Sequence, residues 1–225
     1  MGDQLPLGVG LPDSAVFATY HAGPNAAAVA AVAGADPVAY LYGPRGVGKS
    51  HLLQAACAAA TGAGLRAALL PLASHASFDP SVIDGWDDFA LVCVDDVGAV
   101  AGNPAWERAL FGLFNAVRAR GGRWLAAGDD VPVALGLGLP DLASRLAAGP
   151  VFRLHELDDD GRAAALALRA QRRGFELPDD VARYLLKRAP RDMATLYGVL
   201  DALDRASLAQ QRKVTIPLLK SILGR

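Results

Sequence analysis

The stretch Gly43-Pro44-Arg45-Gly46-Val47-Gly48-Lys49-Ser50 constrains this chain more than any other. It fits G-x-x-x-x-G-K-[ST] at every fixed position, namely Gly43, Gly48, Lys49 and Ser50. A loop that wraps phosphate needs glycine where the backbone approaches oxygen closely and takes angles closed to other residues. Its N–H groups and the N-terminus of the next helix then hold the anion. The lysine of such a loop reaches the terminal phosphates and the serine hydroxyl helps hold Mg²⁺, which are the parts expected of Lys49 and Ser50. The flanks agree. The apolar run 38–42, bounded by Pro37 and Gly43, reads as a buried strand, and the Ala- and Leu-rich run 51–60 reads as a helix. An accidental Gly-rich turn would not need strand, loop and helix in this order.

Apolar runs and helical patterns go on alternating to about residue 157. The run from Ala90 to Val94 ends in Asp95 and Asp96. Fully buried parallel strands read as continuous apolar stretches, and ligands of such sheets sit off the strands' carboxyl ends. Both carboxylates are therefore expected beside the phosphates, with Asp95 on the Mg²⁺ side and Asp96 orienting or activating water. Further strands are expected over 65–72, where Pro71 favours an edge, and over 124–127 and 151–154. Helices are expected over 26–33, capped by Asn25, and over 80–88, 105–120 and 140–147. Trp86 and Phe89 are expected in the core, as is the stripe Trp106, Leu110, Leu113, Phe114 and Val117.

After residue 157 only helical patterns remain, over 158–173, 178–188, 191–208 and 215–223. The fold class is thus α/β, a parallel sheet flanked by helices and followed by a small all-α domain. The expected division is an arm over 1–12, an α/β domain over 13–157 and a helical domain over 158–225. Net charge is −1, so bulk electrostatics do not announce a nucleic-acid binder. No apolar run approaches the roughly 18 residues needed to span a membrane, and the start of the chain lacks a secretory pattern. Cys57 and Cys93 read as reduced core residues of a cytoplasmic protein, and the histidines form no ligand pattern.

Three more residues stand where chemistry could use them. Asp129, at a strand's end, is placed to sense a terminal phosphate, although Asp129-Asp130 is also ordinary turn chemistry. Arg145 lies on a short helix near the sheet's carboxyl edge. Arg191 opens a helix, where a cation opposes the dipole unless a bound anion or the adjacent Asp192 offsets it. In the arm, Gln4-Leu5-Pro6-Leu7 is an apolar stretch that on composition alone would pack on its own domain.

Taken together, residues 17–25, 43–55, 91–118, 139–146, 190–208 and 212–220 resemble the AAA+ module of the DnaA replication-initiator family, and within it most closely the shorter Hda regulators. The resemblance covers essentially the whole chain. It implies a P-loop NTPase fold with a helical lid. It also implies an adenine nucleotide, ADP or ATP, with Mg²⁺, held by residues Gly43 to His51 together with Asn25 and Arg191. Residues 17–25 would cup the base, Asp95 and Asp96 form the Walker B pair, and Ser50 and Asp95 stand on the metal side. Asp129 takes the sensor 1 position, Arg191 the sensor 2 position, and Arg145 that of an arginine finger directed at a neighbouring subunit. Gln4, Leu5, Pro6 and Leu7 resemble the motif by which replication proteins dock on the sliding clamp, which outweighs the composition-based reading of the arm.

The function so implied is negative regulation of chromosomal replication initiation, by stimulating hydrolysis of DnaA-bound ATP while docked on the DNA-loaded clamp. The partners are the DnaA initiator and the β sliding clamp of DNA polymerase III, with DNA reached only through the clamp and no membrane. Self-association is expected, because AAA+ modules place a site at each subunit junction. The chain ends at Arg225 just after its fourth lid helix, so no duplex-reading domain is expected. Two other readings stay open: a self-contained ATPase of helicase-loader or initiator type turning over its own ATP, and an adaptor in which nucleotide only holds the fold together. Whether the chain hydrolyses nucleotide itself is open on residues alone.

Overall fold

The computed structural model describes residues 15–210 and 212–224, so the arm over 1–12 with Gln4, Leu5, Pro6 and Leu7 lies outside the described residues. The described chain forms two units, one of residues 15–17 and 25–154, the other of 18–24 and 155–224.

The first unit is a five-stranded sheet built from β1 (Val38–Tyr42), β2 (Ala67–Pro71), β3 (Leu91–Asp95), β4 (Arg123–Gly128) and β5 (Val151–Arg153), in the order β2-β3-β4-β1-β5. Every pairing is parallel. Helices α1 (Ala26–Ala33), α2 (Lys49–Gly62), α3 (Pro104–Ala119) and α4 (Pro140–Leu146) complete it. Strand side chains alternate, so each strand feeds two layers. Val38, Tyr40, Val92, Val94 and Trp124 share a core with Trp106, Leu110, Phe114 and Val117 of α3 and Leu142 and Leu146 of α4. Phe114 meets the Trp124 ring edge-on at 5.3 Å between centroids. Helices α1 and α2 pack against the sheet as well, with Leu52, Leu53 and Cys57 buried. Edge strand β2 carries Pro71, where its missing N–H costs no ladder bond to a second neighbour. Cys57 and Cys93 are both buried and free.

Two local expectations fail. Residues 80–88 are not one helix but two 3₁₀ turns, Pro80–Ile83 and Trp86–Asp88. Gly85 between them takes φ +80°, which no α-helix accommodates, and Trp86 and Phe89 are only partly buried against the core. Asn25 does precede α1 at its N-cap position, but its buried side chain makes no capping hydrogen bond.

In the second unit, α5 (Asp159–Arg172), α6 (Asp179–Arg188), α7 (Met193–Gln210) and α8 (Ile216–Ile222) enclose their own core, including Leu166, Leu185, Leu196, Leu200, Leu203 and Leu219. Asp158 caps α5 by accepting from the Gly161 N–H at 2.8 Å, and Asp192 caps α7 by accepting from the Thr195 N–H at 2.8 Å. Among the described residues no helix is long and apolar enough to cross a membrane.

The entry to β5 is close-packed: a Cβ added at Gly149 would stand 2.1 Å from the Val38 carbonyl oxygen. Gly149→Ala is expected to cost about 1–3 kcal/mol, read as a lowered urea midpoint at unchanged m-value.

Candidate functional site

Chain direction sets the site. β1 runs into the loop at Gly43, whose φ of +145° and approach to the Leu154 carbonyl oxygen, 2.7 Å from where a Cβ would sit, admit only glycine. Gly46 and Gly48 also take positive φ, +79° and +104°. Helix α2 begins at once on Lys49, with no side-chain cap and no acidic residue in its first turn. Such a start leaves N-terminal N–H groups for an anion. Pro44, Arg45, Gly46 and Ser50 are exposed, and Val47 is half-buried. The His51 ring lies 3.1 Å from the Val16 carbonyl oxygen, tying the first turn of α2 to the segment before α1. Lys49 is buried at 6% exposure. Its ammonium donates to the Gly43 and Pro44 carbonyl oxygens and, at 3.0 Å, to Asp129 Oδ1.

Two other strand ends reach the same edge. Asp95 closes β3, 6% exposed, and burial pushes its carboxyl above the ordinary aspartate range with Asp96 adding to the rise. A hydrogen bond from the Ser50 hydroxyl and one from the Asp96 N–H, at 3.1 Å, oppose that shift. Ser50 and Asp95, the two residues expected on the metal side, are thus near neighbours. Asp96 has φ +55°, and no other described non-glycine residue has a positive φ. Aspartate tolerates that conformation better than most side chains, and strain of this kind gathers at functional sites. After β4 the two aspartates divide their work. Asp129 pairs with Lys49, while Asp130 accepts from the Val131 N–H at 2.7 Å, ordinary turn chemistry. Tyr40 donates its hydroxyl to the Asp130 carbonyl oxygen at 2.9 Å, and burial drives its pKa up, helped by Asp129 and Asp130. Lys49 and Asp129 are thereby joined by a direct contact, with Ser50 and Asp95 close by.

Arg145 stands elsewhere, exposed on α4, with its guanidinium 5.9 Å from the Phe111 ring and no ion pair among the described residues. Sequence reasoning missed the residue that fixes the approach to this helix. Glu107 is 2% exposed, and its carboxylate accepts from the N–H groups of Gly102, Gly138 and Leu139. One signal was there to find: Glu107 shares the helical stripe of Leu110, Phe114 and Val117, and a charge on an apolar stripe needs partners.

In the helical unit Arg191 precedes α7 and pairs with Asp159 at 3.4 Å, both exposed. Among the described residues Arg191 makes no ion pair with Asp192, whose carboxylate instead caps α7 and so offsets the cation at the helix start. Segment 18–24, separated in sequence, joins this unit: His21, Gly23 and Pro24 line a cavity of about 470 Å³ with Leu157, Asp158 and Gly161. The expected base-cupping segment 17–25 is thus divided, with Phe17 and Asn25 in the sheet unit.

The residues present fit a nucleoside phosphate with a divalent cation. Three positive-φ glycines shape the loop, Lys49 is buried within it, and Ser50 lies near the Asp95 carboxylate. The fold matches domain III of the replication initiation protein DnaA from Thermotoga maritima with a TM-score of 0.79 and 20% identity, covering 95% of this chain and 97% of that one. AMPPCP-bound DnaA from Aquifex aeolicus matches with a TM-score of 0.68 and 22% identity, over 90% of this chain and 71% of that one. A RuvB variant from Thermotoga maritima matches at 0.64 and 15% identity, over 90% and 67%. The chain has the fold of DnaA domain III. Residues 159–223 match the family described as Hda, lid domain. The match falls within the helical unit and spans its four helices.

Because its carboxyl is raised, the folded chain holds Asp95's proton more tightly than the unfolded chain. Stability from this group falls as pH rises between the unfolded and folded pKa values, and above both the buried charge is a full cost. Asp95→Asn keeps an acceptor for Asp96 N–H. It is expected to raise the urea midpoint at about pH 7.5, with the gain vanishing near pH 3, where the aspartate is protonated in both states.

Proposed function

We propose that this protein is a cytoplasmic AAA+ regulator of replication initiation that holds an adenine nucleotide with Mg²⁺ and accelerates hydrolysis of ATP bound to a DnaA-type initiator. The observation that carries this reading is the match of residues 159–223 to the Hda lid family on a chain with the DnaA domain III fold. The chain's own nucleotide would be held by the loop Gly43–Ser50 and His51, with Ser50 and Asp95 on the metal, Asp129 sensing the terminal phosphate and Asn25 a further contact, while Arg191 takes the sensor 2 role of the lid. Asp96 stands ready to orient water. Arg145 supports a role in trans: it is exposed and has no carboxylate partner among the described residues. A guanidinium in that state is available to stabilise charge on a phosphoryl group transferred in a neighbour's site. Gln4, Leu5, Pro6 and Leu7 would dock the protein on the β sliding clamp, bringing it to DNA indirectly, and subunit-junction geometry would let copies self-associate.

A second reading keeps the loop for the chain's own turnover, and the gathering of Lys49, Ser50, Asp95 and Asp129 around it favours that reading. The two separate in one assay of ATP hydrolysis by the isolated protein, by the initiator, and by both with DNA-loaded clamp. The expected result is strong stimulation only in the mixture, and equal turnover by the isolated protein would sink the first reading. Arg145→Ala is expected to cut the stimulated rate by about 10³–10⁵ while leaving nucleotide binding intact. The double substitution Gln4→Ala with Leu7→Ala is expected to abolish clamp pull-down without changing nucleotide affinity.

A further inference from the structure

Helix α4 is short, and its N-cap residue is Leu139, which has no side-chain acceptor to offer its first turn. The acceptor comes instead from α3. Glu107 Oε2 accepts from the Leu139 N–H at 2.7 Å and Oε1 from the Gly138 N–H at 3.0 Å. The same Oε1 accepts from the Gly102 N–H at 2.8 Å, in the segment that leaves Asp95 and Asp96 and is closed by the Asn103 cap of α3. One buried carboxylate thus ties the exit of β3 to the entry of α4. One turn further along α3, Phe111 places its ring 5.9 Å from the Arg145 guanidinium, within cation–π range. Leu142 and Leu146 hold the body of α4 in the core, but apolar contacts do not fix rotation or axial position as three directed N–H bonds to a charge do.

We propose that Glu107 and Phe111, one turn apart on α3, are positioning residues that hold the α4 loop and the Arg145 guanidinium in the geometry Arg145 uses on a partner's phosphoryl group. This rests on the arginine-finger reading above. Glutamine cannot replace Glu107 silently. Its amide has one oxygen for three N–H donors, and its NH₂ would face a donor. A shift of about 1 Å in a catalytic group costs up to about 10²-fold in rate.

The test is the stimulated hydrolysis of ATP held by a DnaA-type initiator, with the full chain titrated in at a temperature where circular dichroism shows each variant folded. Glu107→Gln is expected to lower the saturating rate about tenfold or more, with the half-saturating concentration within about twofold of the parent. Phe111→Leu, which leaves the carboxylate in place, is expected to lower the saturating rate in the same way, and it carries the test alone if Glu107→Gln does not fold. Adding Arg145→Ala to either is expected to give the Arg145→Ala rate and no lower, since positioning acts through that one side chain. Parent-like saturating rates, a change confined to the half-saturating concentration, or an additive loss in the double variant would overturn the proposal. If Arg145→Ala itself retains parent stimulation, the finger reading falls first. If Arg145→Ala is dead while both α3 variants match the parent, only the positioning role falls.

Discussion

The site depends on β1 lying between β4 and β5 in a wholly parallel sheet. Parallel strands end on the same side, so the loop after Tyr42, the Asp129 step after Gly128 and the end of β5 at Arg153 are brought together by register alone: Tyr42 pairs with Gly128 on one side and Arg153 on the other. The Lys49–Asp129 contact follows from that register and joins residues 80 apart in sequence. Gly128 belongs to the same constraint. A Cβ there would stand 2.1 Å from the Tyr40 hydroxyl, the group that pins the Asp130 carbonyl oxygen. Glycine at the end of β4 lets a buried tyrosine of β1 pass beneath the Asp129-Asp130 turn.

Charge is handled differently at two places in this unit. Around the loop, one buried cation, Lys49, faces a partly desolvated carboxylate, Asp95, and an exposed one, Asp129. Burying Asp95 costs stability, and a bound divalent cation is the kind of partner that would offset it. Beneath α4, by contrast, Glu107 is buried as deeply but is met by three backbone N–H groups, so its hydrogen-bonding needs are met inside the protein. One carboxylate is buried at a cost and the other has its hydrogen-bonding needs met by the fold.

Much of this was legible in the residues. Continuous apolar runs marked the buried parallel strands, Pro71 marked an edge, and the switch to helical periodicity after residue 157 marked the unit that matches the Hda lid. Spacing marked the phosphate loop, because only glycines tolerate its backbone. Local competition defeated the reading elsewhere. The span 80–88 has a helix-like composition, but Gly85 and the Asp79 cap on Ser81 turn it into 3₁₀ pieces. Asp192 looked like a partner for Arg191 by adjacency, yet the N–H groups at the start of α7 claimed it first.

The sequence by itself determined the fold class, the loop and the identity of the residues at the ends of β3 and β4, because those depend on periodicity and on backbone angles that single residues permit or forbid. Only the tertiary structure decided that Lys49 meets Asp129, that Ser50 comes near Asp95, and that Glu107 holds the loop entering α4. Each of these joins segments far apart in the chain. Which distant donor meets which acceptor is set by strand order and register, and those are properties of the packed sheet.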